Sequence, residues 1–281
     1  MRTLRSSARI VIAIVALALI VPASWAGSPV PGTGLDMYSR PAPNYDLNLT
    51  SSVAGLRHAT EAQLGALAAL QGQSSGVRVR WNDFGGSPDV VMDFASASYP
   101  GTPEEAGRAF LADQAALFGI ANVADLRLVR QKAALGGHLL RFQQTFGGVD
   151  VKDGGVGLVI NANNQVIMAS GPHFRDVVVN TAPSLDAAAA RAAADADLAR
   201  FAVALPAAAE QLLAPAFELL GSQVAAVDQL EPRLGIYPTA DGYRLVWKVA
   251  RFSTNPFGLY LVSVDAHTGE VVARKDYVHF A

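Results

Sequence analysis

The sequence predicts an α+β protein in which two modules follow one another, each a helix packed on an antiparallel sheet. Two segments open with capping sequences and then carry large apolar residues at helical spacing. Beyond them the hydrophobic period drops to two, and the alternating stretches are separated by turns too short to hold a crossover helix, which makes neighbouring strands antiparallel. The order helix, strand, hairpin then occurs twice, with a seam near Val179 to Ser184. The resulting division is a signal peptide over 1–26, a flexible Pro/Gly-rich leading segment over 27–52, a first module over 53–180 and a second over 181–281.

Arg2, Arg5 and Arg9 precede the apolar run Ile10 to Val21, which is followed by Pro22 and "ASWA". That is the layout of a signal peptide cut after Ala26, the run being too short to span a bilayer comfortably. The mature chain is therefore expected to be exported, secreted or periplasmic, with no membrane contact after cleavage. "SPVPGTG" and "RPAPNY" lack periodicity and read as mobile. Asn48-Leu49-Thr50 fits a glycosylation sequon, a pattern common by chance.

The first helix is "TEAQLGALAALQ", where Thr60 and Gln63 form a capping box and Leu64, Leu67 and Leu70 share a stripe. A strand, "VRVRW", follows. In "TPEEAGRAFLADQAALFGI", Thr102 caps, Pro103 suits the first helical position, Glu105 completes a second box, and the apolar face ends at Gly119. "HLLRFQQTF", "VDVKDG" and "GLVINANNQVIMASG" read as strands, with Asn161 to Asn164 turning the last into a hairpin. The second cycle starts at "PSLDAAAARAAADADLARFA", with Ser184 as cap and Asp186 in the first turn. "VDQLEPRLGIYP", "GYRLVWKVARF", "GLYLVSVD" and "EVVARKDYV" complete it. In the second of these, Tyr243, Leu245, Trp247 and Val249 point to the core while Arg244 and Lys248 face out.

Composition narrows the function. The chain has no cysteine, so neither a disulfide framework nor a thiolate metal site is open to it. Removing the three signal arginines from 22 basic residues leaves 19 against 24 acidic ones, a net of −5 that offers no basic surface for nucleic acid. Charged residues make up only 16%. That sparseness fits a surface docked against another protein, and also an ordinary secreted domain.

Reactive motifs fail on context. "GQSSG", Gly72 to Gly76, has the spelling of a nucleophile elbow, but a helix precedes it and a strand follows, the reverse of what the elbow needs. His58, His138, His173, His267 and His279 include no H-x-x-x-H pair, and there is no H-E-x-x-H. His173 and His267 read as solvated loop residues and His138 as the start of a strand. In "VDAHTG" Asp265 can bond turn amides while Gly269 supplies a positive φ. The alanine-rich helix with Arg191, Asp195, Asp197 and Arg200 reads as a solvated amphipathic helix. No cofactor loop or paired carboxylates stand out, so the chain is read as non-catalytic, with no cofactor.

One residue breaks its own pattern. In "RFQQTFGGVDV" the alternation places Phe142, Gln144 and Phe146 on one face and Arg141, Gln143 and Thr145 on the other. A carboxamide among phenylalanines needs partners, or it costs on the order of 1–3 kcal/mol. Two roles stay open: bonding backbone where Gly147-Gly148 turns the chain, or shaping a rim that touches a partner.

His138 to Gly171 resembles the fungalysin/thermolysin propeptide motif, in which a strand ending in glutamine leads to a "G-[VI]-x-V" turn and a hairpin. Gln144, Gly148, Val149 and Val151 stand at its characteristic positions. Upstream, the leucine-striped helix, "RWNDFGGSPDVV" and "AFLADQAALFGI" are similar to the same propeptides; downstream, "YRLVWKVARF" and "LYLVSVDAHTGEVVARKDY" resemble the PepSY module that closes them. The resemblance implies tandem cystatin-like modules and a partner, the catalytic domain of a secreted zinc metallopeptidase, which the protein inhibits and helps to fold. It also implies candidate interface or hairpin-shaping residues Gln143, Gln144, Phe146, Gly148 and Val151, with Lys275, Tyr277 and His279 on a tail, Arg274 to Ala281, that leads toward the peptidase cleft. No zinc-binding helix lies within the 281 residues, so two readings remain: a prodomain apart from its enzyme, or a free-standing exported PepSY-type module with another protein partner.

Overall fold

In the computed structural model, residues 41–50, 57–74, 76–134, 136–204 and 230–278 are described; the signal peptide, most of the leading segment and His279 lie outside them. In chain order the elements are β1 (Tyr45–Asp46), α1 (Leu47–Thr50), α2 (Glu61–Gln73), β2 (Arg78–Asn82), β3 (Ser87–Met92), α3 (Pro103–Asp113), α4 (Ala115–Phe118), a 3₁₀ turn (Val123–Asp125), β4 (Leu126–Ala134), β5 (Gly137–Phe146), β6 (Val149–Ile160), β7 (Val166–Ser170), α5 (Ala187–Ala199), β8 (Arg233–Thr239), β9 (Gly242–Thr254), β10 (Phe257–Asp265) and β11 (Val271–Asp276). The fold is mixed α and β, with few helices against a large sheet that is antiparallel except at one rung.

Both capping boxes form. Thr60 accepts from the Gln63 amide while Gln63 bonds back to the Thr60 N–H, and Thr102 and Glu105 do the same. The buried face of α2 is Gln63, Leu67 and Leu70, with Leu64 half exposed instead of inside the stripe. The predicted helix to Gly119 breaks at Gln114 into α3 and α4, and Gly119 ends it in the left-handed region at φ 65°. Asp186, not Ser184, caps α5, its carboxylate accepting from the Ala189 amide. "VDVKDG" and "GLVI" are one strand, β6, carried through an irregularity at Asp153 (φ 60°) and Gly155 (φ 143°).

The strands join in the order β1-β11-β10-β9-β8-β6-β7-β3-β2, with β5 on the other edge of β6 and β4 on β5. Residues 157–160 of β6 pair with β7, while Val151, before the irregularity, pairs in parallel with Ile236 of β8. β6 thus joins the two halves into one sheet.

Four apolar clusters form among the described residues, the smallest being Tyr237, Val246 and Val272. Phe110, Leu111, Leu117 and Phe118 of α3 and α4 pack on Leu126, Leu140, Phe142, Val156, Leu158 and Ile160. Ala190, Ala194 and Leu198 of α5 pack on Val249, Tyr260, Val262 and Val264. At about 1.5–3 kcal/mol for each large apolar side chain removed from water, these two faces supply most of what holds helices to sheet. The third cluster, Val151, Phe174, Ile236, Leu245 and Ala266, draws from both halves and has Phe146, Val149, Tyr243 and Trp247 at its margin.

Two charged or flexible regions depart from expectation. Residues 41–46 of the leading segment are docked on the second half: Tyr45 and Asp46 pair with Arg274 and Ala273, and Ala42 is 1% exposed within the α5 cluster. Asp197 is not solvated with the other α5 charges. It is buried against Arg274, itself 4% exposed, whose guanidinium also bonds the Pro43 carbonyl of the docked segment.

Candidate functional site

The β5 and β6 strands bring Gln143, Gln144, Phe146, Gly148 and Val151 together at the junction of the two halves. The alternation along β5 holds: Phe142 lies in the first core, Gln144 is 4% exposed, and Phe146 reaches the shared third cluster. Gln144 stands where one core gives way to the other.

Its partner is the backbone of one residue. Gln144 Nε2 donates to the Phe174 carbonyl at 2.7 Å and its Oε1 accepts from the Phe174 amide at 2.9 Å. The side chain thereby acts as a rung of sheet for a loop residue with no strand beside it. The expected bonding to the Gly147-Gly148 turn is corrected: the groups in need are on the chain that leaves β7, thirty residues away. A Cβ on Gly154 would fall 2.7 Å from Gln144 Oε1, so the β6 irregularity leaves room for the amide.

Gln143 serves the irregularity itself. Its Nε2 lies 2.7 Å from the Val151 carbonyl, 3.0 Å from that of Gly154 and 3.1 Å from that of Gln144, filling the gap where β6 steps away from β5. Gly147 and Gly148 turn the chain with φ 56° and 80°. Val151, fully buried, supplies the single parallel rung to β8.

Phe174 is clamped from the other side by residues that sequence reading passed over. Its ring meets Phe84 and Tyr243 edge-on, at centroid distances of 6.1 and 6.5 Å. Arg57 donates to the Arg175 carbonyl at 2.9 Å and to the Tyr243 hydroxyl, which in turn donates to the same carbonyl. The Arg57 guanidinium sits 4.8 Å over the Tyr243 ring. Burial raises the Tyr243 phenol above its usual range, while Arg57 pulls it back. Arg175 reaches Gln63 Oε1 at 3.1 Å, tying α2 into the same knot. An aromatic directly after "GPH" was the one signal available, since a lone Phe in a polar loop needs a pocket.

His173 is also misplaced by sequence: it is 5% exposed, not solvated. Its amide donates to Ser87 Oγ at 2.9 Å, and its Nδ1 is buried without a partner. Burial lowers its pKa to about 4, against a smaller opposing bond with the Phe118 backbone.

Lys275 and Tyr277 are elsewhere, on and just past β11, four strand positions from β6. Both are exposed, the Lys275 ammonium lying 5.2 Å from the Tyr277 ring centre. Arg274 is no part of a free tail, being buried within β11. The expected set therefore divides into a junction cluster and an exposed sheet end.

Asp265 accepts from the amides of His267 at 2.8 Å and Thr268 at 2.9 Å, and Gly269 has φ 80°, as a hairpin turn requires. Among the described residues no three His, Asp or Glu side chains gather as a metal-binding group, and no helix is long and apolar enough to cross a membrane.

Comparison with known proteins adds one local assignment. No curated protein matches the chain. Among solved structures it is similar to the Bacillus megaterium YpeB C-terminal domain, at 13% identity and a TM-score of 0.32, over 79% of this chain and 100% of that one. Residues 124–171, which run from the 3₁₀ turn through β4, β5, β6 and β7 and include both glutamines, match the Fungalysin/Thermolysin Propeptide Motif.

Proposed function

We propose that this chain is a non-catalytic, propeptide-type protein that inhibits a secreted thermolysin- or fungalysin-like zinc metallopeptidase and assists its folding. The observation that carries the reading is the motif match over residues 124–171, which coincides with the strands gathered around Gln144. In this reading residues 1–26 direct export, and residues 53–180 and 181–281 form the tandem cystatin-like modules, the second of PepSY type. The exposed sheet end at Lys275 and Tyr277 faces the peptidase.

The physics of such a pair is simple. While the two are joined by a short linker, the effective concentration is roughly millimolar, so even a modest interface stays occupied. Cleavage removes that advantage, and dilution then releases the enzyme. The same contacts can stabilise the folding transition state of a peptidase that is kinetically trapped.

The test adds purified residues 27–281 to thermolysin-like peptidases and follows peptide hydrolysis, with a parallel assay of peptidase refolding yield. At least one enzyme slows, or refolds in higher yield. A folded sample that does neither at high micromolar concentration overturns the proposal.

A further inference from the structure

The second half of the sheet is finished by residues that precede the first half. Residues 41–46, called here the strap, end in a two-residue antiparallel edge strand on β11, Tyr45 opposite Arg274 and Asp46 opposite Ala273, more than two hundred positions away in the chain. The contacts are those of a ligand in a groove. The Ala42 amide donates to the Tyr260 hydroxyl at 3.1 Å. The Pro43 carbonyl accepts from Arg274 Nε at 3.0 Å and Nη2 at 2.8 Å. Asn44 Oδ1 accepts from the Asp276 amide at 2.8 Å. The receiving arginine is itself fixed, paired with buried Asp197 and lying 4.3 Å from the Phe201 ring centre.

Three of these features point to recognition of an extended peptide. The groove reads two main-chain groups that any strand presents, the Ala42 amide and the Pro43 carbonyl, and one side chain, Asn44. A side-chain-sized restriction exists only at Ala42, 1% exposed among Ala190, Ala194 and Val262. The buried charge pair is oriented toward a carbonyl that the second half does not supply. Without the strap, Arg274 would lose two bonds and the edge of β11 would stand open.

We propose that the groove formed by Tyr260, Arg274, Asp197, Phe201 and the edge of β11 is a peptide-binding site, occupied in this chain by its own Ala42-Pro43-Asn44-Tyr45-Asp46 strand and exchangeable for the same strand supplied in trans. The covalent connection keeps the site filled, since a tethered strand competes at roughly millimolar effective concentration. The inference does not depend on the peptidase reading, and neither result below bears on inhibition.

The experiment uses the otherwise full mature chain with residues 51–56 replaced by the recognition sequence of a site-specific protease. Fluorescence anisotropy follows a labelled peptide of residues 39–48 before and after cutting. The cut protein binds it saturably in the micromolar range, and the uncut protein shows no binding at the same concentrations. A peptide N-methylated at Ala42, which lacks the donor to Tyr260, binds about tenfold or more weakly. Equal binding by cut and uncut protein, an N-methyl peptide as good as the parent, or a folded cut protein that ignores the peptide overturns the proposal. Should the altered chain fail to fold, amide exchange on the unaltered protein decides. The Ala42 amide must exchange through a local opening, faster than that of Val262, and equal protection of the two refutes an exchangeable strap.

Discussion

Replacing Gln144 isolates the side chain that pairs both backbone groups of Phe174 in the loop after β7. In Gln144→Leu the shape is roughly kept and both bonds are lost, leaving the amide and carbonyl of Phe174 unpaired in a buried site. At about 1–3 kcal/mol for each of the two orphaned groups, the cost is about 2–6 kcal/mol. Gln144→Glu separates the two bonds by pH. An ionised carboxylate still accepts from the Phe174 amide but faces the Phe174 carbonyl with no proton to give, whereas the protonated acid restores both bonds. Burial and the opposing carbonyl raise the folded-state pKa above the unfolded value of about 4.3. The proton's contribution is therefore fully present below the unfolded pKa and is lost as pH rises through the folded one. Urea denaturation of wild type and both variants at pH 7 and pH 5 gives the answer. Relative to wild type at each pH, Gln144→Leu shows a deficit that does not move, and Gln144→Glu shows one that shrinks at pH 5. A Leu variant within about 0.5 kcal/mol of wild type, or a Glu variant with no pH trend, refutes the assignment of these bonds.

Three further outcomes follow from the packing. His173, whose pKa is lowered to about 4, contributes stability present above the unfolded value of about 6.5 and lost as pH falls toward 4. His173→Gln therefore removes roughly 2–3 kcal/mol of the stability difference between pH 7 and pH 4.5, read from denaturation midpoints. Gly155→Ala would place a Cβ 2.1 Å from the Phe142 carbonyl oxygen at φ 143°, whereas Gly148→Ala meets open space at φ 80°. The first costs several kcal/mol and the second about 1 kcal/mol, as thermal unfolding will show. Arg274→Met leaves the buried Asp197 carboxylate with only the exposed Arg200, at 3.5 Å, and costs about 3–5 kcal/mol, much of it recovered when Asp197→Leu is added. A double variant no better than the single one would mean that the bonds to Pro43, not the charge pair, dominate there.

The capping boxes at Thr60 and Thr102 and the Asn161 turn were legible because each is a bargain struck within five residues. The three inward positions of β5, Phe142, Gln144 and Phe146, were legible for a related reason, since alternation is a local rule. What alternation could not give was the partner of Gln144. A buried amide announces a need, and only the path of the chain after β7 says which backbone meets it. His173 and Asp197 failed in the same way. Both carry residue types that favour water, and both are buried against residues remote in sequence, His173 beside Ser87 and Asp197 beside Arg274.

Remote coverage also changes what the two cycles of helix and sheet amount to. Each has its own helix-on-sheet core, which is why the sequence reads as a repeat. Yet Val151, Phe174, Ile236 and Leu245 form a core that neither cycle owns, and Ala42 completes the second cycle from a position ahead of the first. The link along the sheet is a single parallel rung, too little to fix the halves by backbone bonding alone. Orientation must therefore come from side chains: Phe174, held by Gln144 from the first half, is packed edge-on against Tyr243 of the second. Any partner that contacts both halves meets a surface whose geometry rests on that amide and ring, on the shared core around them and on the Arg57–Tyr243 contact beside them.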